Sequence, residues 1–290
     1  MNKDKLIRTR KAEKAGNKIS NQGEKISMKI FIMTDLEGAT GVAGNWSDFN
    51  PGGKEHENAR RFLTGDVNAA IEGAFEAGVN EAVVLDGHGA ALSIILEDLD
   101  PRAQLIRGRR LNELEGLDGT FDLMFAIGAH AMAGTPDGLL THTLSHVGID
   151  NIWLNNQPVG EIGLWAALAG DYDVPLGLVT GDLAAVREAE RLLGKIFTVA
   201  VKEATSRFAA KCLHPTVSHK LIRDAARKTV ENADRFTPYK PEVPIELKVE
   251  YHNSERAEII SKKKNVVRVD GRTVLARGRS MLEVYSLLLH

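Results

Sequence analysis

The chain has 290 residues, enough for one large or two modest domains, and its 43% hydrophobic and 26% charged content is that of an ordinary globular protein. A formal net charge of -2 supplies no basic excess for nucleic acid or an anionic membrane, and 6% aromatic residues leave no base-stacking platform. The single cysteine, Cys212, cannot close an internal disulfide, which suits a reducing compartment such as the cytoplasm, and no apolar run approaches the roughly 20 residues of a membrane span.

Residues 1–27 are rich in Lys and Arg and lack the apolar stretch of a secretory signal. They read as a disordered basic leader, the other reading being an arm for nucleic acid or a partner, and the fold is expected to begin at Met28. "MKIFIMT" (28–34) predicts a first strand, residues 56–78 a helix closed by Gly78, and "EAVVLDG" (81–87) a second strand with the uniform apolarity of a parallel sheet. "AQLIRG" (103–108) and "DLMFAIGAH" (122–130) predict two more strands. The following segment reads as extended chain with a turn at Asn155-Asn156, then a helix from Gly160 to Gly170. "VPLGLVTGD" (174–182) is a further strand ahead of the helical "LAAVREAERLLGK". After Lys195 the pattern predicts a helix near 214–233, a proline-punctuated linker, a strand at 245–250, a charged helix at 253–264, two strands and a terminal helix. The expected fold is therefore α/β, a mainly parallel sheet flanked by helices over 28–194, with a smaller α+β lobe over 195–290 for packing, positioning and oligomerisation.

Ligands of open α/β sheets gather beyond the carboxyl ends of the strands. There the sequence places Asp35 and Glu37, then Asp86 and His88, then His130, with His142, His146 and Glu161 in the segment after it. Each has an ordinary explanation alone, as a cap, a turn or a core histidine. Their recurrence at one sheet edge is the signal. Residues i and i+2 of extended chain project to the same side, so Asp35 and Glu37 can face one location, where two carboxylates repel unless a cation neutralises them. A short aspartate can bridge a metal pair roughly 3.5–4 Å apart, and mixed imidazole and carboxylate donors suit zinc, with manganese or cobalt as substitutes. His142 reads as a catalytic or substrate-orienting group outside the metal shell and His146 as structural. His56 reads as ordinary, and His214, His219, His252 and His290 read as surface residues. Cys212 reads as buried filler.

The segments "TDLEGATG", "LDGHG", "IGAHAMAGTPDGLLTHT", "NNQPVGEIGLWAALAGDYDVP" and "AAKCLHP" resemble, in order and from Met28 nearly to the C-terminus, the DppA-type zinc D-aminopeptidase family. The resemblance implies two zinc ions per subunit, with Asp35 bridging them. Glu37 and His88 would complete one ion, His130 and Glu161 the other, and His142 would be an active-site residue that binds neither. It also implies a homodecamer of two stacked pentameric rings acting on short peptides with an amino-terminal D-residue. The chain departs from the family pattern at Met33 and Gly87, where that pattern has serine, and in the threonines flanking His142; no donor is lost.

The function expected is thus a metallo-aminopeptidase that hydrolyses the first peptide bond by a metal-bridged hydroxide. The alternatives are a metal-dependent deacylase or phosphoesterase on a similar ligand set, a non-catalytic α/β binding module, and a ring-forming protein with architectural metals. "GATGVAG" lacks the regular glycine turn of a dinucleotide site, which counts against the binding module.

Overall fold

The computed structural model describes residues 27–289, so the leader expected over 1–27 lies outside the described residues except for Ser27, as does His290. Its spine is a seven-stranded sheet made of β1 (Met28–Thr34), β2 (Val79–Asp86), β3 (Ala103–Ile106), β4 (Leu123–Ala129), β7 (Leu176–Asp182), β8 (Phe197–Ser206) and β9 (Ala209–Cys212). The strand order is β3-β2-β1-β4-β7-β8-β9, parallel throughout except for β9, which returns antiparallel to β8. A second, antiparallel sheet combines β5 (Ile149–Leu154) and β6 (Gln157–Pro158) with β10 (Ile245–Tyr251), β11 (Val266–Arg268) and β12 (Thr273–Gly278).

The alternation of β1 explains the layering. Ile30 and Ile32 face one side of the large sheet, where α2 (His56–Glu76) and α5 (Pro215–Glu231) pack through Leu63, Val67, Ile71 and Ile222. Phe31 and Met33 face the other side, in a core shared with α3 (Glu161–Asp171), α4 (Leu183–Leu193), the second sheet and α7 (Met281–Leu289). Helix α3 lies inside that core and is buried on every face from Glu161 to Gly170. That is why "EIGLWAALAG" carries no polar stripe. Burial of one such leucine or isoleucine contributes about 1.5–3 kcal/mol. Of the two short helices, α1 (Trp46–Phe49) buries Phe49 in the first core and α6 (Ser254–Ser261) buries Ala257 and Ile260 in the second.

Several expectations change here. Residues 141–148 form turns rather than extended chain, with Leu140 and Leu144 at φ of +52° and +61°. Strands β8 and β9 carry no sequence signal strong enough to announce them; β8 lies near the sheet edge and ends in a polar stretch with Glu203, Thr205 and Ser206 in solvent. Cys212, at the end of β9, is exposed rather than buried. Sheet membership crosses position 195 in both directions, since β8 joins the large sheet while β5 pairs with β10. The expected Asn155-Asn156 turn is present, with both residues at positive φ. Among the described residues, no helix is long and apolar enough to cross a membrane.

The topology fixes where a site can form. From β1 the chain proceeds outward to β2 and β3, then crosses back to lay β4 on the other flank of β1. The carboxyl ends of β1 and β4 therefore diverge at a switch point, leaving a crevice.

Candidate metal centre

The turn after β1 is tied to the end of β4. The amide of Asp35 donates to Ile127 O (2.9 Å) and that of Gly38 to Gly128 O (2.8 Å). A β-carbon on Gly38 would stand 1.9 Å from Ala129 O, so this approach requires glycine. Deeper still, Lys202 reaches in from β8, fully buried, and its Nζ donates to the carbonyls of Glu37, Ala39 and Val42 at 2.6, 2.7 and 2.7 Å. The loop bearing Asp35 and Glu37 is thus held from both sides.

Asp86, at the end of β2, serves the next loop. Its Oδ2 accepts from the amides of Ser93 (2.6 Å) and Ile94 (2.8 Å), folding the segment that presents His88. Gly87 has Thr34 O and the Met33 side chain within 2.5 Å of where a β-carbon would sit, so the two positions that depart from the family pattern face each other. His130 follows β4 directly, and its Nδ1 donates to Ala131 O (3.0 Å). His142 Nδ1 likewise donates to Leu140 O (2.9 Å). A carbonyl only accepts, so both rings carry the proton on Nδ1 and turn Nε2 toward the centre. Glu161 opens α3, and its Oε1 accepts from Leu144 N (2.7 Å). The 140s turn is secured in its own right by Leu140 N to Arg207 O (2.9 Å).

These side chains converge in two groups. Asp35 Oδ1 lies 3.3 Å and Glu37 Oε2 2.9 Å from His88 Nδ1. Asp35 Oδ2 lies 3.2 Å and Glu161 Oε1 3.1 Å from His130 Nε2, with His142 Nε2 3.8 Å from the same Glu161 oxygen. Asp35 belongs to both groups, one oxygen to each. Donor atoms of Asp35, Glu37 and His130 come within 4.8 Å of one another, as do those of His130, His142 and Glu161.

Asp35 Oδ2, Glu37 Oε2 and His130 Nε2 are buried yet make no hydrogen bond, although their neighbours are close. Buried polar atoms this close to one another and without a hydrogen bond form a donor set that a shared cation would satisfy. The electrostatics agree. Burial alone would raise the Asp35 carboxyl, but His130 and His88 hold it well below the ordinary carboxylate range. Burial would depress His130, yet the charges of Glu161 and Asp35 lift it well above the ordinary imidazole range; Glu37 and Asp35 do the same for His88. His142 goes the other way, lowered by burial and then by His130 stacked 4.0 Å away.

All five expected donors and His142 are therefore brought together. His142 also falls within ligand distance of the His130–Glu161 group, which the sequence did not anticipate. His146 stacks on Trp46 at 4.2 Å and lines the same cavity, of about 600 Å³, together with Arg110, Glu113 and Tyr285. Lys202 and Arg110 escaped sequence reasoning because each arrives from a distant segment, and Trp46 because the short helix that carries it has no pattern of its own. His56 bonds Phe49 O, and His252 is exposed against Asp150. His219 is half-exposed, with its Nε2 beside the buried Asp66.

Known proteins place this geometry. The sequence profile of the D-aminopeptidase family matches residues 28–290. A D-aminopeptidase of Bacillus subtilis (strain 168) is 34% identical over 265 residues, spanning 90% of this chain and 96% of the relative. The solved structure of the Zn-dependent D-aminopeptidase DppA from Bacillus subtilis, a self-compartmentalizing protease, superposes with a TM-score of 0.85 at 35% identity, covering 90% of this chain and 96% of that one. Taken with the α/β fold and the converging donors, these likenesses define a metallo-aminopeptidase. The chain belongs to the D-aminopeptidase family.

Proposed function

We propose that this enzyme removes an amino-terminal D-residue from short peptides with the help of two zinc ions per subunit. Asp35 would be shared between them, with Glu37 and His88 holding one ion and His130 and Glu161 the other. The observation that carries the reading is the division of Asp35, one oxygen toward His88 and the other toward His130. Zinc and the D-residue preference are supported by the likeness to the Zn-dependent D-aminopeptidase DppA of Bacillus subtilis.

When bound, the zinc pair would supply Lewis acidity, bringing a water toward a neutral pKa and polarising the scissile carbonyl. The chain's own residues do the rest. The Nδ1 bonds of His130 and His142 fix each ring with Nε2 facing inward, so no reorientation is needed on loading. His142, kept neutral by its lowered pKa, takes the proton of the attacking water on Nε2 and delivers it to the leaving amine. Trp46, edge-on to His142 at 4.9 Å, limits how far that ring can turn. Glu161, held by Leu144 N, keeps its Oε1 beside His130.

A second reading of His142, as an additional ligand, is favoured by its place in the donor group with His130 and Glu161. Zinc analysis of His142→Ala separates the two, since a proton carrier leaves the zinc content near two per chain and a ligand does not. The function itself is tested by zinc quantification beside turnover of D- and L-alanyl p-nitroanilide. About two zinc ions with faster D-turnover supports the proposal; absence of zinc-dependent hydrolysis, or an L-preference, refutes it. The self-compartmentalizing relative supports a closed homo-oligomer of this chain; the two stacked pentameric rings that the family resemblance implies would be read by light scattering as a decamer.

A further inference from the structure

Two guanidinium groups line the cavity beside the metal donors, Arg110 and Arg256. Arg256 is exposed on α6, whereas Arg110 is half-buried in the connection between β3 and β4. Arg110 Nη1 is shielded from water and has no hydrogen-bond partner, and Arg110 makes no direct ion pair among the described residues. A shielded N–H of a charged group left without a partner is costly, so proteins rarely leave one without a reason.

Neither of the nearby acids pairs with it. Glu113 gives Oε1 to Trp165 Nε1 (3.0 Å) and Oε2 to the Tyr285 hydroxyl (3.0 Å). Asp86 gives Oδ2 to two loop amides, and its Oδ1 is buried without a hydrogen bond to Arg110 or any other group. Both feel the charge of Arg110 through space without pairing with it. The guanidinium is therefore attracted into a wall that leaves its fork free. A planar fork of N–H groups matches a carboxylate bidentately. Arg110 and the metal donors share one cavity of about 600 Å³, within the range of small-ligand sites.

We propose that Arg110 binds the C-terminal carboxylate of the substrate, so that this enzyme takes peptides whose free carboxylate lies within one or two residues of the scissile bond. The inference rests on the aminopeptidase reading and deepens it, because the cavity would then hold a peptide by both ends, its scissile bond at the metals and its carboxylate at Arg110. Amidated or longer peptides would lack a group to pair with Arg110 and would leave its shielded charge unmet.

Calorimetric titration of the zinc-loaded protein with a reduced-bond analogue of D-alanyl-D-alanine, as free acid and as carboxamide, reads this subsite without turnover. The wild type should bind the acid about 10- to 100-fold more tightly than the carboxamide, the gain expected of a charge-assisted pair. In Arg110→Met the acid-to-amide ratio should fall to near one, in Arg110→Lys to an intermediate value, and in Arg256→Met it should stay that of the wild type. The ratio of KM values for D-alanyl-D-alanine and its amide should follow. Equal affinity of the wild type for acid and carboxamide overturns the proposal whatever the variants do, and so does loss of the preference in Arg256→Met instead of Arg110→Met. Failure of the zinc-loaded enzyme to cleave any D-aminoacyl substrate would refute the aminopeptidase reading alone, since the binding ratio still decides the role of Arg110.

Discussion

Replacing Lys202 by methionine probes how the Glu37 arm of the centre is held. Methionine keeps the length of the apolar stem but removes the ammonium that serves the carbonyls of Glu37, Ala39 and Val42. A buried carbonyl left without a donor costs about 1–3 kcal/mol, so three cost roughly 6 kcal/mol. An opposing gain exists, because burial pushes Lys202 from the ordinary 10.5 down to about 8. Removing so penalised a charge recovers about 3 kcal/mol at 1.36 kcal/mol per pK unit. A net loss of about 3 kcal/mol remains, or a fall in Tm of roughly 5–10 °C for a chain of this size. The effect on metal should be selective, since Lys202 grips the backbone of Glu37 and not that of His130 or Glu161. Dialysed Lys202→Met protein is expected to retain about one zinc where the wild type retains about two. Thermal unfolding with parallel zinc quantification measures both. Wild-type Tm and full zinc content in the variant would refute the reasoning.

Asp35→Asn should lose both metals and at least about 100-fold in kcat/KM for D-alanyl p-nitroanilide, because an amide cannot neutralise two cations; retention of two zincs would contradict the bridging role. Gly38→Ala would drive a β-carbon against Ala129 O, so a loss of about 3 kcal/mol or more and lowered zinc content are expected, and an unchanged Tm would count against the tight packing of β1 on β4. Glu188 supplies a pH test. Burial pushes its carboxyl up to about 7, above an unfolded value of 4.5, so its contribution to stability is present below 4.5 and is lost, by about 3 kcal/mol, as pH rises through about 7. Glu188→Gln keeps an acceptor for the Met132 amide and removes this slope, so its Tm relative to wild type should be higher at pH 8 than at pH 5; parallel curves would contradict it.

The central strands and the donor set were legible because both follow local rules. β1, β2, β4 and β7 are apolar runs bounded by turn residues, and Asp35, His88 and His130 follow from asking what stands just beyond each run. Glu161 was legible as the first residue of a helix set off by glycine. The rest depended on contacts between distant parts of the chain. Nothing in "FTVAVKEATS" states that Lys202 ends up under Glu37, 165 residues earlier. The path of residues 141–148 was misjudged because it depends on two leucines at positive φ, fixed by contacts such as Leu140 N to Arg207 O that no pattern of apolar residues encodes. The second sheet was split for a similar reason, since β5 has no local cue that its partner is β10, nearly a hundred residues away.

The account stands most directly on Asp35 joining two cations, and anomalous X-ray diffraction at the zinc edge from crystals of the zinc-loaded protein measures it. It predicts two peaks roughly 3.5–4 Å apart, one between Glu37 and His88 and one between His130 and Glu161, with an Asp35 oxygen on each. A single peak, or a pair that Asp35 does not link, would contradict it.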